Sequence, residues 1–108
     1  MRSGTLVHSA GAVPVDAEGN LVRAGDRIAQ TRQVLANLET QLAAAGASPA
    51  DVVKTVVYVV ADRREDLSEV WELVRASPFA GAASTLVGVT FLGYTGQLVE
   101  VEAVAVID

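Results

Sequence analysis

Leu98-Val99-Glu100-Val101-Glu102-Ala103-Val104-Ala105-Val106-Ile107-Asp108 is an apolar stretch interrupted by two carboxylates at alternate positions. Side chains alternate faces along a strand, so Glu100 and Glu102 point the same way. Carboxylates in a half-buried sheet are costly unless something pairs with them or they serve a site. The stretch therefore predicts a strand that lines a polar pocket or forms a polar subunit contact. Just upstream, Gly93-Tyr94-Thr95-Gly96 predicts a hairpin turn, with Ser84 to Leu92 as the strand before it and Gln97 to Ile107 as the strand after it.

Further upstream the pattern changes period. Arg27 to Ala45 holds neither Gly nor Pro, and Ile28, Val34, Leu35, Leu38, Leu42 and Ala45 recur near helical spacing. Asp26 is a suitable N-cap and Gly46 a suitable stop. Ser48-Pro49-Ala50-Asp51 reads as a capped turn. Val52 to Val60 is dense in β-branched residues and predicts a central strand. Asp66 to Arg75 returns to helical spacing through Leu67, Val70, Trp71 and Val74, with Arg63-Arg64 as its solvated start and Ser77-Pro78 beyond its end. Near the N-terminus, Thr5 to Ala10 reads as a strand that Gly11 breaks. Ala17-Glu18-Gly19-Asn20 is a turn, and Leu21-Val22 a brief returning strand. The order β-β-α-β-α-β-β predicts a two-layer α+β domain, one sheet with both helices on one face, over residues 1–108.

Composition narrows the function classes. Half of the 108 residues are apolar (51%), an excess that points to oligomerisation. The net charge is −5 and the basic residues are scattered, which disfavours nucleic acid as a partner. The chain has no cysteine and one histidine, so neither thiolate chemistry nor a metal site is expected. The opening residues lack the basic-then-apolar pattern of a secretory leader. No apolar run approaches membrane-spanning length, so a cytoplasmic protein with no membrane partner is expected.

Several segments, in order, resemble one family. They are Ser9-Ala10-Gly11-Ala12-Val13-Pro14-Val15-Asp16, Gln30-Thr31-Arg32-Gln33-Val34-Leu35-Ala36-Asn37-Leu38, and Ala45-Gly46-Ala47-Ser48 with Asp51-Val52-Val53-Lys54-Thr55-Val56-Val57-Tyr58. Ala83-Ser84-Thr85-Leu86-Val87-Gly88-Val89 and Val99-Glu100-Val101-Glu102-Ala103-Val104-Ala105-Val106 follow. Together they make the chain similar to the RidA/YjgF reactive-intermediate deaminases. That resemblance implies a chorismate-mutase-like fold and a homotrimer with clefts between subunits. It also implies cofactor-independent hydrolysis of 2-imino acids to 2-keto acids and ammonia.

By the same resemblance Glu100 is the water-activating carboxylate, able to relay a proton between water and a bound imine. Gly11 is the glycine whose backbone approaches the ligand, and Thr85 lines the pocket. The pattern breaks at Ala83, where active relatives carry an arginine that grips the substrate carboxylate with two parallel hydrogen bonds. The family's N-terminal tyrosine stretch has no match here. Trp71 stands where the family has an asparagine: its apolar stripe makes it core, while the resemblance makes it a cleft residue. His8 and Tyr94 are further candidates, and Glu102 is expected to pair with Lys54 or an arginine. The expected function is binding or conversion of a small imine or enamine other than a simple 2-imino acid. A noncatalytic ligand-binding or structural trimer is the alternative. An endoribonuclease or translation-inhibitor role, carried by some relatives, is disfavoured by the acidic charge.

Overall fold

Two helices and four strands, with one short 3-10 turn, make up the computed structural model, which describes residues 4–108. In chain order they are β1 (Thr5–His8), α1 (Arg27–Ala44), the 3-10 turn Pro49–Asp51, β2 (Val52–Val60), α2 (Arg64–Arg75), β3 (Ala83–Val89) and β4 (Val99–Ile107). The Asp26 side chain caps α1 by accepting from the Ala29 amide at 3.0 Å, and Gly46 ends the helix region with φ +83°. At the start of α2 the Asp66 carboxylate accepts from the Asp62 and Arg63 amides. Those backbone donors, the Asp62 amide foremost, hold its carboxyl below the usual carboxylate range against the opposing effect of burial. The nearby Arg27 and Arg63 guanidiniums add to the lowering.

The sheet order is β1-β4-β2-β3. β4 pairs antiparallel with both β1 and β2, whereas β3 pairs parallel with β2, Lys54 opposite Ala83 through Val60 opposite Val89. A parallel neighbour needs a crossover, and α2 supplies it. Two expectations are corrected. The strands on either side of Gly93–Gly96 form no hairpin, because β2 lies between β3 and β4. A turn does form there, with the Gln97 amide donating to the Tyr94 carbonyl and Gly96 at φ +84°. The returning strand at Leu21-Val22 reduces to a single bridge between Val15 and Leu21, too short to extend the ladder.

Both helices cover one face of the sheet. Val34, Leu38 and Leu42 of α1 and Val70 and Val74 of α2 pack with Val57 and Val59 of β2 and with Val99, Val101, Ala103 and Ala105 of β4. The residues between them, Glu100, Glu102 and Val104 on β4 and Val56 and Tyr58 on β2, face the other way. A bulge between Val52 and Lys54 resets the alternation: Val52 is buried, Val53 is exposed, and Lys54 joins the open face in register with Val104. No helix among the described residues is long and apolar enough to cross a membrane.

Candidate functional site

The open face carries the polar groups that the strand pattern isolates. Glu100 lies opposite Tyr58, and Glu102 opposite Val56. The Tyr58 hydroxyl donates to Glu102 Oε1 at 2.5 Å. This bond, then burial, then the charges of Glu102 and Glu100 raise the tyrosine pKa above its ordinary value. Glu102 thus pairs with a phenol, not with Lys54 as the sequence suggests. The Lys54 ammonium turns the other way, from β2 toward β3, and donates to Thr85 Oγ1 at 2.7 Å.

Glu100 is half-buried and held from two sides. Gln97 Nε2 donates to its Oε1 at 3.2 Å and to the Val99 carbonyl at 3.0 Å. The Gln97 side-chain oxygen accepts from the Tyr94 amide. On the other side the carboxylate lies over Gly11: a β-carbon there would sit 2.1 Å from Glu100 Oε2 and 2.8 Å from its Cδ. A side chain at position 11 would therefore push the carboxylate out of this place. The loop is anchored in turn by Gln30, a buried side chain of α1. Its amide donates to the Gly96 and Arg23 carbonyls, and its oxygen accepts from the Leu98 amide at 2.7 Å. A buried amide with all these bonds made fixes the entry to β4, and so the direction of Glu100.

Of the residues singled out in the sequence, the structure gathers two groups. Glu100 and Gly11 touch on β4 and the segment beside it. Thr85 and Ala83 share the open face of β3 with Lys54 beside them. The groups are separated by β2 and staggered along it, Glu100 lying level with Val87 through Tyr58, so their backbones lie roughly 12 to 16 Å apart. His8 is exposed on the open face opposite Val104, four residues along β4 from Glu100. Tyr94 is about half exposed on the loop before Gln97. Trp71 packs half-buried against the core from α2, on the far side of the sheet from Glu100. Within one chain it is not gathered with the carboxylate.

Sequence reading missed Tyr58, Gln97 and Gln30. Tyr58 was detectable by following the alternation of β2 back from its end. Gln30 carried no local signal, since Gly96 and Leu98 lie far along the chain; the partners of Gln97 are within three residues of it, so its closeness to Glu100 was the signal to follow.

Residues 1–107 match the family model described as Endoribonuclease L-PSP. Over 56 residues the chain is 43% identical to the 2-iminobutanoate/2-iminopropanoate deaminase of Salmonella typhimurium, covering 52% of this chain and 43% of that protein. It is 41% identical over 59 residues to a RutC family protein of Pyrococcus horikoshii, covering 55% of this chain and 47% of the relative. These matches span about half the length of the curated relatives. Among solved structures, a conserved Rid family protein from Yersinia pestis superposes with a TM-score of 0.86 at 42% identity, covering 95% of this chain and 79% of that one.

Proposed function

The chain belongs to the Endoribonuclease L-PSP family, the RidA/YjgF proteins, and from that membership we propose that three copies bind a small imine or enamine in clefts between them. The observation that carries this reading is the separation of the two half-sites. Glu100 over Gly11 and Thr85 beside Ala83 are held apart by β2, too far for one small molecule to touch both within one chain. A neighbouring copy supplies the missing half. Phe91, 80% exposed, and the exposed Tyr94 and Val87 are the apolar contacts such an assembly covers.

In this cleft Glu100 positions a water and takes one of its protons as the oxygen adds to the imine carbon. That proton passes to the nitrogen to give a carbinolamine; the remaining hydroxyl proton then passes through Glu100 to the same nitrogen as the C–N bond breaks, ammonia leaves and a carbonyl remains, so that imine plus water gives carbonyl plus ammonia. Gln97 and Gly11 keep the carboxylate aimed. Ala83 sets the specificity. Without a guanidinium at that position no planar, two-bond grip holds a substrate carboxylate, and simple 2-imino acids turn over slowly. Ala83 equally favours the second reading, a cleft that binds its ligand without converting it.

Light scattering of the purified protein tests the assembly, with a trimer mass expected and a lone protomer refuting it. Freshly generated 2-iminobutanoate, followed by trapping the imine with semicarbazide, tests the chemistry. Slow turnover is expected from the natural chain and a gain of at least about tenfold from Ala83→Arg. Rapid turnover by the natural chain would remove the role given to Ala83.

A further inference from the structure

We propose that Lys54 is the cation that anchors the anionic group of the ligand, with the Thr85 hydroxyl as its second donor. The inference rests on the cleft reading above and adds the charge of the ligand. Lys54 stands directly across the parallel ladder from Ala83, so the two side chains share one position on the open face. Ala83 is exposed and carries only a methyl group. The bulge at Val52/Lys54 matters here, because it lets Val53 and Lys54 both face away from the helices.

The chemistry of the pair favours an anion. Lys54 spends one N–H on Thr85 Oγ1, and no carboxylate among the described residues pairs with it. The nearest acid on this face by register, Glu102, is engaged by Tyr58. An ammonium keeps two further N–H donors, and a threonine oxygen that accepts from it still has its own proton to give. Ammonium and hydroxyl thus stand side by side at Thr85, two residues along β3 from Ala83, each with a proton left to donate. A carboxylate oxygen fits that arrangement. A lysine holds it as a point charge and leaves its plane free to turn, unlike a guanidinium fork. Binding of a small carboxylate is therefore retained while the imine carbon is presented less strictly to Glu100.

The test compares a charged probe with a neutral one of the same shape: 2-oxobutanoate and 2-oxobutanamide, titrated against the full chain by calorimetry and by amide chemical shifts. The natural protein is expected to prefer the carboxylate. Lys54→Met should weaken the carboxylate roughly tenfold to a hundredfold and leave the amide unchanged, while Lys54→Arg restores it. Thr85→Val, which keeps the strand shape, should weaken the carboxylate several-fold and serves if the lysine variant does not fold. Equal binding of the carboxylate by Lys54→Met and the natural chain overturns the anchor and leaves the cleft standing. Binding of the amide without preference for the carboxylate does the same. If neither probe binds, both the anchor and the cleft reading fail.

Discussion

The two faces of the sheet are made by the same strands and follow opposite rules. Toward the helices β2 and β4 place Val57, Val59, Val99, Val101, Ala103 and Ala105, all buried and apolar, with Thr55 the one buried polar residue among them, its hydroxyl donating to Ser84. Away from them the same strands place Lys54, Tyr58, Glu100 and Glu102 among Val56 and Val104. The covered face is held by apolar area removed from water. The open face is held by polar groups that satisfy one another: Tyr58 with Glu102, Lys54 with Thr85, Gln97 with Glu100. The parity of a position therefore says more about the effect of a substitution than the residue type does.

The sharpest contrast comes from deleting volume on each side. Leu38→Ala, on the covered side, is expected to cost about 2–5 kcal/mol in denaturant unfolding. Val87→Ala, on the open side, should cost under about 1 kcal/mol in the protomer. Equal losses would erase the distinction between the faces. Glu100→Gln comes next and inverts the pattern. Its unfolding midpoint should barely move, while imine hydrolysis falls roughly a hundredfold. Lost stability with unchanged turnover would make Glu100 a structural residue.

Gly11→Ala sits between these extremes. The new methyl meets the end of a flexible side chain, so the fold survives while the carboxylate swings away. Turnover should drop roughly tenfold, and combining it with Glu100→Gln should add little further loss. Full additivity would separate the two residues.

The smallest effect is a titration. The folded-state pKa of Tyr58 is raised, so its contribution to stability is complete below the ordinary tyrosine pKa and is lost as the pH rises through the raised value. Phenolate absorbance should show this late ionisation, and Glu102→Gln should bring it back toward the ordinary value. Asp66 acts on the acid side with the opposite sign. Its lowered pKa gives stability that is present above the ordinary carboxylate pKa and lost as the pH falls through the lowered one.

Much of this architecture was legible where the signal is local. The N-cap at Asp26, the stop at Gly46 and the β-branched run from Val52 to Val60 place α1 and β2 almost to the residue. The hairpin expected around Gly93–Gly96 failed for a nonlocal reason. The turn chemistry is real, but strand partners are chosen by the whole sheet, and β2 occupies the place between. At the site, Glu100 and Gly11 were legible as separate residues, while their contact was not. Lys54 was visible as a charge within a strand, yet the bulge that puts it on the open face depends on pairing with β4.

The sheet order has a consequence for synthesis. β4 is the last of the four strands to leave a ribosome, yet it lies between β1 and β2. Until it emerges, β1 has no neighbour and β2 keeps one edge bare, so the sheet pairing open to a nascent chain is the parallel β2–β3 unit with its crossover helix. Glu100 arrives on that closing strand, which makes completion of the sheet and arrival of the acid a single event, late and dependent on distant partners.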